Sequence, residues 1–201
     1  MIRKSQSELF NNIHDKYKDN YYDKYSNFYR NKVVLCKIKK FFNLKKSILE
    51  VGCGGGSNYR IFQKNQMITD LYYAIDISEK CVDDFNNMNK GNKNAFAHLG
   101  DFTKKKLNLN RTFDLILFMG VLHHMTNDLD IVMDNINRHL NLEGVVIFAE
   151  PNANFLNSIR KIWYRFSDDF DHENERALSI EEIDFHAEKN FLKNIYYGYY
   201  G

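Results

Sequence analysis

Along this chain, short and mostly apolar runs alternate with stretches in which apolar residues recur every three or four positions. The runs at 47–52, 71–76, 95–99, 113–118 and 144–150 have the length and the branched or aromatic content of buried strands. The periodic stretches predict helices over 57–66, 78–89 and 128–140. Such alternation predicts an α/β fold: a doubly wound, mostly parallel sheet with helices on both faces. Ahead of the first strand, Val34, Ile38, Phe41 and Phe42 recur at helical spacing, with Lys37, Lys39 and Lys40 between them. Residues 1–46 therefore read as a helical segment before a core of 47–201, all in one domain, as the 201-residue length suggests. Towards the other end, Ser179 and Glu182 form a capping box for a helix reaching about Lys189, and Lys193–Tyr200 reads as a further strand.

The densest chemistry follows the first strand, in Glu50-Val51-Gly52-Cys53-Gly54-Gly55-Gly56-Ser57-Asn58. Glycines after a strand permit a tight turn and let a ligand approach bare backbone, with the next helix presenting its N-terminus. Many nucleotide sites share that much. Glu50 narrows the field, because a carboxylate two residues before the first glycine repels a pyrophosphate and suits an ammonium or sulfonium. That points to S-adenosylmethionine and away from NAD or ATP. Asp76 ends the second strand twenty residues after Gly56, the spacing at which an acid reaches a ribose hydroxyl pair.

Further motifs follow in order: Gly100-Asp101-Phe102, then Phe113-Asp114-Leu115-Ile116-Leu117-Phe118-Met119-Gly120, then Gly144 to Asn152. With these, residues 45–195 resemble the class I S-adenosylmethionine-dependent methyltransferases, in their small-molecule branch. The resemblance implies a Rossmann-like fold, S-adenosylmethionine as cofactor and S-adenosylhomocysteine as product. It implies that Gly52, Cys53, Gly54 and Gly56 line the methionine part, and that Asp76 and Ile77 meet the ribose. Asp101 and Phe102 would hold the adenine, and Met119 would lie at the strand end beside them. It also implies an N-terminal lid over the site, which would place Tyr17 and Tyr21 near the substrate.

The expected reaction is methyl transfer to a small molecule at oxygen, with nitrogen and carbon as the alternatives, and a hydroxyl acceptor benefits from a base near the methyl group. His123 and His124 begin just past the fourth strand, and adjacent helical residues point about 100° apart, so one faces the substrate. His124 is the stronger candidate, since relatives often place a polar residue there. Glu150 and Asn152 flank Pro151, the single proline, at the rim after the fifth strand, and either could touch substrate or merely shape the loop. The polar cluster 171–176 could ligate a metal together with the histidines, but no fixed metal spacing supports it, and none is expected.

Composition restricts the remaining choices. A net charge of +2 gives no global attraction to nucleic acid, and the lysine runs at 37–40 and 104–106 read as solvated faces. Base-directed methyltransferases commonly carry an Asn/Asp-Pro-Pro-Tyr turn where this chain has Met119-Gly120-Val121-Leu122, so a small acceptor is expected. Cysteines 36, 53 and 81 have neither zinc spacing nor an even disulfide framework. The chain starts without an apolar signal, and no apolar run approaches ~18 residues, so a cytoplasmic protein without a membrane span is expected. The competing readings are a non-catalytic cofactor-binding or interaction protein of the same fold and, less favoured by Glu50, an NAD-linked oxidoreductase. The family's usual seventh, antiparallel strand has no counterpart here. Either this edge is truncated, with a frayed tail and self-association expected, or Lys193–Tyr200 is expected to pair directly with 144–150, or a second subunit to complete that edge as a dimer.

Overall fold

The computed structural model describes residues 4–22, 28, 34–42, 47–67, 70–153 and 175–199. Its strands are β1 (Ser47–Val51), β2 (Leu71–Asp76), β3 (Ala95–Leu99), β4 (Phe113–Met119) and β5 (Leu140–Ala149). Its helices are α1 (Lys4–Tyr22), α2 (Leu35–Ile38, continued by a 3-10 turn to Phe41), α3 (Ser57–Lys64), α4 (Glu79–Met88), α5 (Leu129–His139) and α6 (Ile180–Lys189). The strands form one sheet in the order β3-β2-β1-β4-β5, and every pairing among them is parallel. This is the α/β, Rossmann-like architecture the alternation predicts.

The strand pleat sends successive side chains to opposite faces. Ile48, Tyr72, Ala74, Leu115 and Leu117 enter one apolar layer with Phe42, Phe62 and Phe85. Leu49, Tyr73, Ile75, Ile116 and Phe118 enter the other with Val132, Met133 and Ile136 of α5. The central strands are buried along nearly their whole length, as parallel strands covered on both faces must be. Lys37, Lys39 and Lys40 are exposed while Val34, Leu35 and Ile38 are buried, as an amphipathic segment requires.

Two expectations need correcting. β5 starts at Leu140, immediately after α5 and four residues before the predicted 144. Among the described residues its strand partner is β4 alone, so Leu142 and Glu143 can remain exposed where an interior strand would reject them. The strand expected over Lys193–Tyr200 is absent from its described part, Lys193–Tyr199. Phe191 takes a left-handed φ of 62°, and the Asn194 amide donates to Asp184 while its Oδ1 accepts from the Tyr196 N–H. Tyr196 then lies against Phe41, with Lys40 Nζ 3.9 Å from its ring centroid. Tyr197 and Tyr199 remain exposed, so Tyr196 alone among the described tyrosines of this tail has a ring contact with the body of the protein. The capping box forms as read: Ser179 Oγ accepts from the Glu182 N–H at 3.1 Å.

Candidate active site

A cavity opens beyond the carboxyl ends of β1, β2 and β4, where the strand order reverses and such sheets bind ligands. Its floor is Val51 to Gly55, Ile75 to Ile77, Gly100, Phe102 and Met119 to Val121, and His124 stands at its side. Gln6, Phe10, Ile13 and His14 of α1 supply the opposite wall. That face was missed in the sequence, although its i, i+4, i+7, i+8 spacing is helical. Hydrogen bonds hold α1 there, from Gln6 Nε2 to the His124 carbonyl (3.3 Å) and from Ser7 Oγ to the Ile77 carbonyl (2.8 Å). Ser78 Oγ and Asn11 Oδ1 lie 2.7 Å apart, and His14 Nε2 meets Asp84 Oδ2 at 3.0 Å. The side chains of Tyr17 and Tyr21, expected near substrate, lie outside the described residues.

Each glycine of the turn has its own reason. Gly52 has φ +70° and donates to the Ile75 carbonyl at 2.8 Å; a Cβ there would lie 2.4 Å from Val121 Cγ2. Gly54 has φ +52° and a Cβ there would meet no protein atom within 4 Å, so its bare face is turned to the cavity. Gly56, expected to line the ligand, is absent from the cavity wall. It starts α3 at φ +82° and passes close beneath α4, where a Cβ would come within 2.5 Å of Met88 Cε. Cys53 lines the wall, but burial, with Asp76 and Glu50 nearby, pushes its thiol well above the ordinary range. It serves as a small neutral residue.

Glu50 lies beneath the turn, fully buried and outside the cavity wall. Its oxygens accept from Asn58 Nδ2 (2.8 Å) and the Tyr72 hydroxyl (2.6 Å). Glu50 itself therefore does not face the cavity, whereas Asn58, which it braces, does line it. Burial, followed by Glu50, pushes the Tyr72 hydroxyl far up, so it remains a donor.

Asp76 lies where expected. Its Oδ2 accepts from Gly54 N–H and its Oδ1 from Ser78 N–H, each at 2.9 Å, which ties β2 to the turn. Burial raises its carboxyl above the usual range, against the pull of these backbone donors. Each oxygen retains acceptor capacity towards the cavity. Asp101 differs from expectation: it is off the cavity wall, and its Oδ1 accepts from Thr103 N–H (2.9 Å) and Thr103 Oγ1 (2.6 Å). It shapes the turn that brings Gly100 and Phe102 to the cavity.

After β4 the chain enters a 3-10 turn, Leu122–His124. Glu150, at the end of β5, caps it: Oε1 accepts from Val121 and Leu122 N–H (2.9 Å each), and Oε2 lies 2.7 Å from His123 Nδ1. Glu150 is thus a positioning residue and does not line the cavity. Asn152 does not line it either; it bridges in parallel to Leu178. That bridge, with Arg176 N–H donating to the His123 carbonyl (3.1 Å), lays residues 175–178 over the turn. Glu175 arrives beside both histidines, 3.8 Å from His123 Nε2 and 3.3 Å from His124 Nδ1. Burial, then His123, lowers the His124 pKa, partly offset by Glu175. Of the two histidines, His124 reaches the cavity.

A methyltransferase-domain family model matches residues 26–189. The chain belongs to that family and is a class I S-adenosylmethionine-dependent methyltransferase. It is similar to a solved S-adenosylmethionine-dependent methyltransferase from Clostridium acetobutylicum, at 18% identity over 88% of this chain and 87% of that one, with a TM-score of 0.65. The PH0226 protein of Pyrococcus horikoshii is similar at 17% identity over 82% and 81%, with a TM-score of 0.63. Bacillus YcgJ is similar at 18% identity over 78% and 66%, with a TM-score of 0.62. At these identities the likeness is one of fold. No curated protein matches the chain in sequence. Among the described residues, no helix is long and apolar enough to cross a membrane.

Proposed function

We propose that this enzyme methylates a small molecule at a hydroxyl oxygen, and that His124 takes the proton. The carrying observation is that one cavity contains the bare face of Gly54, the Asp76 carboxylate and the His124 side chain. S-adenosylmethionine supplies a methyl already activated by a sulfonium, so the protein chiefly positions the reactants. Asp76 accepts from both ribose hydroxyls, Phe102 and Gly100 flank the adenine, and Gly52 and Gly54 give the methionine part a close approach. Asn58, braced by Glu50, faces the same end. The α1 face of Gln6, Phe10, Ile13 and His14 acts as the lid over cofactor and acceptor. With Nδ1 of His124 turned to Glu175, Nε2 is the atom left to accept the proton. The described region offers no basic domain to hold a nucleic-acid backbone, which favours a small acceptor. Three separate free cysteines suit a reducing cytoplasm.

The test pairs two variants. Asp76→Ala loses two charge-assisted hydrogen bonds, and S-adenosylhomocysteine should bind at least ~10-fold more weakly by calorimetry. His124→Ala should retain that affinity while turnover on a hydroxyl acceptor falls ~10²-fold. An unchanged affinity in the first variant removes the ribose assignment, and full turnover in the second removes the base.

A further inference from the structure

The histidine turn gathers side chains that the proposed reaction does not fully use: it calls on His124 alone, while His123 and Glu175 stand beside it. His123 Nε2, His124 Nδ1 and a Glu175 oxygen all lie within 4.8 Å of one another. The cluster is enclosed: the side chains of His123, His124 and Glu175 are 11%, 9% and 5% exposed. His124 Nδ1 is buried without a well-formed hydrogen bond, and the group it faces is Glu175 Oε2, 3.3 Å away. Two carboxylates, Glu150 and Glu175, thus close on two buried imidazoles, and buried charge of that kind is paired or coordinates a metal.

We infer that His123, His124 and Glu175 form a binding site for a divalent transition-metal cation, with zinc the first candidate. Two imidazole nitrogens and one carboxylate oxygen are a donor set that zinc takes in three-ligand sites, leaving a further position for water or another oxygen. Tetrahedral bonds of about 2.0–2.1 Å place ligand atoms about 3.3 Å apart. Glu175 offers Oε1 to His123 Nε2 at 3.8 Å and Oε2 to His124 Nδ1 at 3.3 Å, and one ligand atom from each of the three residues lies within 4.8 Å of the others, so the group must draw together around an ion. The outer shell is already built. His123 presents Nδ1 to Glu150 Oε2 at 2.7 Å, the carboxylate–histidine pairing that fixes a ligating imidazole with Nε2 free for metal. Glu150 is held in turn by the backbone N–H groups of Val121 and Leu122.

The site has a consequence for the proposed chemistry. A cation on His124 Nδ1 leaves the ring proton on Nε2, so a loaded His124 cannot also act as the base there. Metal loading and proton abstraction by this residue exclude each other.

The site is tested on the full-length chain, stripped by chelator, without cofactor or acceptor. Co2+ is titrated as an optical probe, and Zn2+ is added as competitor. The expected result is saturable binding at one ion per chain, with the visible absorption of low-coordinate cobalt, and displacement by Zn2+. Glu175→Gln keeps the shape and should weaken binding by more than the about 10–100-fold typical of losing an outer-shell partner, the range expected for Glu150→Gln. His124→Ala should abolish the cobalt absorption. Wild-type affinity for S-adenosylhomocysteine in each variant shows that it is folded. A titration without cobalt absorption overturns the site, as does binding unchanged in both Glu175→Gln and His124→Ala, which would locate the ion elsewhere. Because no acceptor is present, failure of the methylation reading leaves this result untouched.

Discussion

The turn after β1 and the turn after β4 face the same cavity, yet they are built differently. The first is set mainly by its backbone: Gly52, Gly54 and Gly56 have left-handed φ angles, and its supporting acid, Glu50, is held by Asn58 of the next helix and Tyr72 of the neighbouring strand. The second closes its own 3-10 turn, with the His124 and Met125 N–H groups donating to the Val121 and Leu122 carbonyls, but takes its side-chain support from elsewhere. Its cap comes from Glu150, its contact with α1 from Gln6 and its charged neighbour from Glu175. A backbone-dictated turn tolerates little change within itself, whereas an assembled turn can be altered from far away. Gly52 joins the two, because any side chain there would meet Val121.

The largest expected effect tests the glycine turn. Glu50→Ala strands the fully buried Tyr72 hydroxyl and removes the acceptor that holds the Asn58 amide, and should cost about 3 kcal/mol, read as a lower midpoint in denaturant unfolding. A loss below about 1 kcal/mol would show that the turn does not depend on its acid. On the assembled half, Glu150→Ala removes the acceptor from the Val121 and Leu122 N–H groups and should cost about 2 kcal/mol. It should also lower turnover with little change in S-adenosylhomocysteine affinity; equal losses in both would mean that the two turns are one unit.

A subtler prediction concerns pH. Burial raises the folded pKa of Asp76 above its unfolded value. Its contribution to stability is therefore fully present below the unfolded pKa and is lost as pH rises through the folded one. Ribose binding runs the opposite way, since the ionised carboxylate is the better acceptor. Affinity for S-adenosylhomocysteine should fall on acidification through a midpoint above the ordinary carboxylate range, and Asp76→Asn should flatten that profile. The smallest effect is at the outer clamp, where Asp130 of α5 meets His186 and Lys189 of α6. Both Asp130 and Lys189 are about half exposed, so screening and side-chain entropy offset the attraction. Asp130→Ala should shift stability by less than about 0.5 kcal/mol, checked by thermal unfolding in low and high salt.

The same contrast explains what could be read in the sequence. β2 and β3 were legible to the residue, because each is a short, mostly apolar run between polar turns. The glycine turn and Asp76 were legible because their reasons lie in φ angles and fixed spacing. Glu50, Glu150 and Asp101 were visible as acids near the site, but sequence does not say which donors claim a carboxylate. Tyr72, Asn58, the Val121 and Leu122 amides, and Thr103 claimed them. Glu175 was noted only within a polar loop, since its approach to the histidines depends on the Asn152–Leu178 bridge. The early start of β5 was hidden by Asn141 and Glu143, polar residues that an edge strand accepts.

The capping of the histidine turn by Glu150 also bears on the order in which the site can be completed. Glu150 follows β5, the strand that pairs with β4 at the edge of the sheet, so the turn gains its cap only when β5 has docked. The glycine turn lies between β1 and β2 at the middle of the sheet and needs no residue of β5. Fraying of the β5 edge would therefore unmake the histidine turn first and leave the glycine turn standing.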